Sequence, residues 1–182
     1  MNFFLFLFLL ASFSVESSLQ ENNDCNYPYK LRVVEEINEK RRIHQAPPLV
    51  LDTSNADLVR YTQEDAEYMA GKGAAPPVRP LNISFGEIDV SYQARATTPE
   101  QLVDVLYRTG EPGYPWYGRE PPSEAAIAEF AIFTQMIWVA SQNATVGCSD
   151  AEDGRRRFLV AAFVPPGNIW GEFAKNVLPP RP

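Results

Sequence analysis

The chain has 182 residues, of which 45% are hydrophobic and 12% aromatic, and its formal net charge is -7. That length and apolar content suit one compact domain with a sizeable core. The acidic balance excludes nucleic acid as a main partner and opposes an anionic membrane surface, because either would need a basic face that releases counterions.

Residues 1–17 read as a secretory signal: Phe3 to Ala11 is an apolar run, and small residues around Val15-Glu16-Ser17 offer cleavage near Ser17. The run is too short to span a bilayer as a stable helix, and no other stretch is long and apolar enough for a membrane span. The mature chain, residues 18–182, is expected to be a single secreted, extracellular domain. In an oxidising compartment Cys25 and Cys148, the only two cysteines, have one intramolecular pairing open to them, provided the fold brings their Cα atoms together. Asn82-Ile83-Ser84 and Asn143-Ala144-Thr145 are sequons, which makes Asn82 and Asn143 candidate glycan sites.

Over residues 29–44, Leu31, Val34 and Ile37 recur at helical spacing with Glu35, Glu36, Glu39, Lys40 and Arg42 on the other faces. This predicts an amphipathic helix that stops before Pro47-Pro48. A second helix is predicted from a cap at Asp52 or Ser54, through Leu58, Tyr61, Tyr68 and Met69, to Gly71. Residues 73–80, with three prolines, form a loop, and a short strand is expected around residues 83–87. Thr98-Pro99-Glu100-Gln101 combines a cap, a proline at the first helical position and a glutamine three residues after the cap, so a helix runs from there to near Arg108. Residues 110–122, rich in proline and glycine, form an irregular loop. Ser123 caps a helix through about Ala140, in which Ile127, Phe130, Ile132, Phe133, Met136, Ile137 and Trp138 leave almost no polar face, as in a helix buried between layers. Residues 145–148 and 157–164 read as an antiparallel hairpin closed at Asp153-Gly154, with Arg155 to Arg157 a solvated turn. The expected fold is α+β, a three-layer α/β/α sandwich with a small antiparallel sheet between helices.

Four segments in order resemble the signatures of the CAP superfamily, the SCP/TAPS or venom allergen-like proteins. They are Asn38-Glu39-Lys40-Arg41 with His44-Gln45-Ala46-Pro47-Pro48-Leu49, then Gly86-Glu87-Ile88 where the family has Gly-Glu-Asn, then Phe133-Thr134-Gln135-Met136-Ile137-Trp138, then residues 158–169. With Asn176-Val177-Leu178-Pro179-Pro180 they span nearly all of the mature chain, and the resemblance implies the same α/β/α fold. In many members two histidines and two glutamates meet in a cleft that can bind a divalent cation. Here Ile132 stands at one histidine's place, residues 76–85 hold no histidine, Glu87 matches one acid and Thr109 stands at the other. A zinc site usually takes three or four nitrogen or sulfur ligands, and this chain has one histidine, so no metal and no cofactor are expected. His44 reads as a hydrogen-bonded structural histidine, and Glu87, Asp89 and Asp104 as solvated or salt-bridged acids.

Catalysis by an activated nucleophile would have to be assembled around His44, and no Gly-x-Ser-x-Gly elbow occurs, so the chain is read as non-catalytic. Tyr107, Tyr114, Trp116 and Tyr117 lie in or beside the proline-rich loop. An exposed aromatic cluster there marks a contact surface suited to the planar rings and single hydroxyl of a sterol. The alternative is that these rings pin the loop to the helices. The resemblance links an aromatic loop at this place, similar to a caveolin-binding motif, to sterol binding. It also implies a fatty-acid site between two helices, which Val33, Val34, Ile37, Phe130, Phe133 and Ile137 would line, with core packing as their alternative role. A lipid-binding protein with a transport or immunomodulatory role is the leading expectation; an extracellular module that binds a protein receptor and a hydrolase are the alternatives.

Overall fold

A computed structural model describes residues 24–77, 79–94 and 96–181. The expected signal segment lies outside the described residues. The first helix, α1 (Tyr27–Ile43), starts two residues before the expected point because Asn26 caps it, its side chain accepting from the Tyr29 N–H, with Pro28 in the first turn. Lys40, Arg41 and Arg42 occupy its last turn, where cations suit the helix dipole. The second helix, α2 (Ala56–Lys72), is capped by Asn55 rather than by Asp52 or Ser54. Asp52 Oδ1 is already committed to a turn, accepting from the Ser54 N–H and hydroxyl and from the Asn55 N–H. The helix runs past Gly71 and stops at Gly73, which takes the left-handed φ of +66°.

Strand β1 (Val50–Leu51) is a two-residue element that the sequence pattern did not signal. Strand β2 (Gly86–Gln93) begins near the end of the predicted short strand and runs six residues beyond it. Its period-two pattern explains the shift: Ile88, Val90 and Tyr92 face the main core, while Glu87, Asp89 and Ser91 take the opposite face. Helix α3 (Pro99–Arg108) carries the full capping box expected at Thr98 and Gln101. The apolar segment after Ser123 is not one helix. It forms α4 (Glu124–Ile127), a 3-10 turn at Ala128–Phe130 and α5 (Ala131–Ile137). Asn168 holds the first turn of α5, its Nδ2 donating to the Ala131 carbonyl at 2.9 Å while the Thr134 hydroxyl donates to Asn168 Oδ1 at 2.6 Å. The chain continues as β3 (Asn143–Asp150), β4 (Arg156–Val164) and α6 (Phe173–Asn176).

The sheet order is β1-β3-β4-β2, with β3-β4 and β4-β2 antiparallel and β1 parallel to β3, so the sheet is mixed rather than wholly antiparallel. Helix α2 covers one face, where Ala66 and Met69 cluster with Phe158 and Val160. Helices α1, α3 and α5 pack together on the other face, over the larger core that includes Val34, Ile37, Leu106, Phe133 and Leu159. The three-layer α+β sandwich expected from the sequence is the architecture observed. Cys25 and Cys148 form a disulfide, with Cα atoms 5.8 Å apart, that ties the start of α1 to β3.

Two arginines differ in how far the sequence announced them. Arg157 was expected in a solvated turn, yet it is buried on β4 and clasps both oxygens of Asp150, with its guanidinium 4.8 Å from the Tyr29 ring centre. It lies in β4, as the expected strand over 157–164 has it, but Asp150 holds its guanidinium against the protein and not in solvent. Arg41 is fully buried and its partners are carbonyls: Pro47 O at 2.8 Å, Met136 O at 3.0 Å, Trp138 O at 2.8 Å and Ser141 O at 2.8 Å. Burial lowers its pKa to about 10, which leaves it charged at neutral pH.

Removing the Arg41 fork would strand several buried carbonyls, each costing about 1–3 kcal/mol. The Arg41→Met variant is therefore expected to lose at least about 3 kcal/mol of stability in urea unfolding. A loss under about 1 kcal/mol would show that these carbonyls do not depend on Arg41.

Candidate aromatic ligand site

At the end of α1, His44 is fully buried. Its Nδ1 lies 2.8 Å from the Leu178 carbonyl, which only accepts, so Nδ1–H donates there and Nε2 accepts from the Tyr107 hydroxyl at 2.7 Å. Burial pushes the His44 pKa below its usual value, which favours the neutral ring this pattern requires. Tyr107, at the end of α3, and Phe133, on α5, pack edge-on with ring centres 5.6 Å apart. The loop then wraps these groups. Gly110 lies so close that an added Cβ would sit 2.6 Å from Phe133 Cβ, so glycine is required for the approach.

Tyr114 stands at the centre of the loop's rings, 4.9 Å from Tyr117, 5.4 Å from Phe130, 5.6 Å from Phe133 and 5.7 Å from Trp116. Tyr117 also stacks on His44 at 5.6 Å. Tyr107 and Tyr114 are buried, whereas Trp116 and Tyr117 are half-buried. The exposed cluster expected from the sequence is thus a layered one, because Tyr107 on α3 and Tyr114 in the loop are covered while Trp116 and Tyr117 stay half-exposed. Burial raises the phenol pKa of Tyr107 and Tyr114 to about 12, with Glu111 and Glu120 respectively adding to the shift, and raises that of Tyr117 still further. The Tyr114 hydroxyl is buried, and among the described residues it has no hydrogen-bond partner. The loop is anchored from behind, the Gly118 N–H donating to Val177 O at 3.0 Å and the Ala174 N–H to Glu120 Oε1 at 2.8 Å.

Of the six residues proposed for a fatty acid, Val33, Val34, Ile37, Phe133 and Ile137 are 0–3% exposed inside the main core and Phe130 is 8% exposed. Phe130 and Phe133 belong to the aromatic group just described, so the two proposed sites share a wall.

On the other face of the sheet, the Tyr61 hydroxyl donates to Glu87 at 3.3 Å, and Arg79 pairs with the buried Asp65 and with Glu64. Partial burial, reinforced by the neighbouring Asp89 charge, raises the Glu87 pKa to about 7. Sequence reasoning missed Asp65, although Leu58, Tyr61, Thr62, Asp65, Ala66 and Met69 are the buried stripe of α2 and an acid within such a stripe is the signal of an engaged group. Asp104 is salt-bridged as read, to Lys40 at 2.9 Å and Arg108 at 2.7 Å.

Among the described residues no group of three or more histidines, cysteines or acids is placed to hold a metal ion. His44 has both ring nitrogens engaged, Glu87 turns to Tyr61, and Ile132 packs against the core. This donor set does not fit zinc.

The sequence profile of CAP, the cysteine-rich secretory protein family, matches residues 34–164. This chain belongs to the CAP family. Among curated proteins, a probable pathogenesis-related protein of Arthroderma benhamiae is 34% identical over an alignment 74 positions long that covers 36% of this chain and 23% of that protein. The chain therefore matches about a quarter of that relative's length. Two solved CAP-fold structures show the same architecture. BmVAL-1 aligns with a TM-score of 0.56 and 15% identity over 86% of this chain and 85% of its own. NaASP2, in a crystal structure with Zn2+, aligns at 0.54 and 14% identity over 86% and 88%. At such identities the likeness speaks for the fold alone.

The purified CAP protein is expected to hold no stoichiometric zinc after dialysis against a weak chelator; elemental analysis finding one zinc per chain would refute the reading of the donor set. A second outcome concerns pH. Because the folded pKa of Glu87 lies above the ordinary value of 4.5, its contribution to stability is full below about 4.5 and is lost as pH rises through about 7. Glu87→Gln should flatten the decline in melting temperature between those limits, and an unaltered decline would show that Glu87 does not govern it.

Proposed function

We propose that this CAP protein is secreted, non-catalytic and lipid-binding, and that its ligand is a sterol seated at the aromatic loop. One observation carries the reading: Tyr114 has a buried hydroxyl that is unpartnered among the described residues, and its ring packs against the half-buried rings of Trp116 and Tyr117. An unsatisfied buried hydroxyl costs about 1–3 kcal/mol, which a ligand bringing one hydroxyl into an aromatic pocket relieves. A sterol has that chemistry, a rigid apolar body with a single polar group. Covering roughly 200 Å² of apolar surface at about 25 cal/mol per Å² contributes about 5 kcal/mol before ordering costs, and Pro112, Pro115, Pro121 and Pro122 reduce those costs by stiffening the loop.

Other ligands and activities are less well supported. A fatty acid between α1 and α5 would have to displace side chains that are 0–3% exposed. Hydrolysis through a Ser-His or Cys-His pair lacks its imidazole base and its thiol, since both His44 nitrogens are committed and Cys25 and Cys148 are bridged. A second reading, an extracellular protein-interaction module, draws on the adjacent exposed side chains Ile169 and Trp170 beyond β4.

Tyr114→Phe separates ligand recognition from folding. In a binding assay with labelled cholesterol this variant should bind about tenfold more weakly, a loss of about 1.4 kcal/mol, while its own folding stability is unchanged or higher because the orphan hydroxyl is gone. Trp116→Ala with Tyr117→Ala should also weaken cholesterol binding at least tenfold, and it should lower the melting temperature, since these rings pack on Phe130 and His44. Cholesterol binding that is unaffected by Tyr114→Phe and survives the double substitution in a folded protein would move the site elsewhere.

A further inference from the structure

The edge of the sheet at β1 is thinly protected. Val50 and Leu51 are its only residues, and Val50 is 64% exposed although apolar and β-branched. The Val50 and Asp52 N–H groups donate inward to Gln142 O and Ala144 O, so by strand alternation the Leu51 N–H and C=O point to the open side. An open, apolar strand edge is a template for pairing with another chain. Beside it lies a surface depression of about 370 Å³ lined by Val50, Leu51, Asp52, Thr53, Ser54 and Asn143.

Asn143 starts the sequon Asn143-Ala144-Thr145 and opens β3 directly beside Val50. Its side chain is half-buried at the rim of the depression, and among the described residues its amide forms no hydrogen bond. The other sequon differs, because Asn82 and Ser84 are exposed in the loop before β2, lie in no strand and are not among the residues that line this depression.

We infer that Asn143 carries an N-linked glycan whose first sugars lie in this depression and cover the open edge of β1. The inference rests on passage through a secretory compartment. In the transfer step a bond forms between the Asn143 Nδ2 and the anomeric carbon of an oligosaccharide. The bond from that carbon to its lipid-pyrophosphate carrier breaks, the pyrophosphate leaves with the electron pair, and the amide gives up one proton. The timing follows from Thr145. Its side chain is 2% exposed and its hydroxyl donates to Asp52 O at 3.3 Å, so the sequon is closed to an enzyme once β1 and β3 have paired. Transfer therefore precedes closure of this edge, on the emerging chain.

The test uses the full mature chain carried into the secretory pathway of a eukaryotic host by that host's own leader, with the Cys25–Cys148 bridge checked by thiol titration. Peptide-N-glycosidase treatment followed by peptide mass mapping should show a sugar-dependent mass loss and conversion of Asn143 to aspartate. Asn143→Gln should lose that signal, and the glycan-free protein should self-associate in light scattering at concentrations where the glycosylated one is monomeric. Asn82→Gln serves as the control and should leave both the Asn143 signal and the monomer intact. An unmodified Asn143 in bridged, secreted protein overturns the proposal, whether or not Asn82 is occupied. A modified Asn143 whose removal leaves the protein monomeric overturns the shielding role. Secretion under the native leader, measured separately, tests the secretory reading itself.

Discussion

A buried guanidinium held by carbonyls organises this molecule. Arg41 reaches from the last turn of α1 to the turn at Pro47, to the final carbonyls of α5 and to Ser141 ahead of β3. None of these partners carries a formal charge, so the cation is stabilised by peptide dipoles, two of them at the C-terminal end of α5 where negative partial charge accumulates. The Met136 and Trp138 carbonyls are thereby satisfied without another helical turn, which is why α5 ends at Ile137 and not at Ala140. Three residues beyond Arg41 on the chain, His44 is carried to a fixed position, where it joins the C-terminal Leu178 carbonyl to the Tyr107 hydroxyl. The aromatic loop packs on that frame, so its geometry is inherited from the arginine.

The two faces of the sheet have taken different chemistry. On the core face, Ile132 packs against the hydrophobic cluster and the one imidazole is a structural cross-link. On the α2 face, Glu87 and Asp89 share the surface with Tyr61, Asp65 and Arg79. The period of β2 sends Glu87 and Ile88 to opposite sides, so the acid retained from the family signature does not share the core face with Ile132. Among the described residues of this chain, no group of three or more histidines, cysteines or acids on either face is placed to hold a metal ion.

Much of the framework was legible in the sequence because local signals agreed with tertiary ones. Thr98, Pro99 and Gln101 marked the start of α3 by capping chemistry alone, and the Asp153-Gly154 turn located the hairpin of β3 and β4. The failures came where side chains engaged one another in ways that capping and periodicity rules do not encode. Asp52 was drawn from capping into a turn with Ser54 and Asn55, the helix expected after Ser123 is interrupted at Ala128–Phe130, and Asp150 across the hairpin holds Arg157 out of solvent. The aromatic residues of the site were visible as a cluster, but their layering was not. Which ring is covered depends on Gly110 permitting the loop to close on Phe133, a contact between segments far apart in sequence. The orphan hydroxyl of Tyr114 is a product of that layering.

On the proposed sterol reading, the Tyr114 hydroxyl gains its hydrogen-bond partner from the ligand. A crystal structure of the protein with cholesterol is the decisive measurement. The sterol hydroxyl is expected within hydrogen-bond distance of Tyr114 Oη, about 2.6–3.0 Å, with the ring system against Trp116 and Tyr117. A sterol bound elsewhere, or bound at the loop with the Tyr114 hydroxyl still unpartnered, would contradict it.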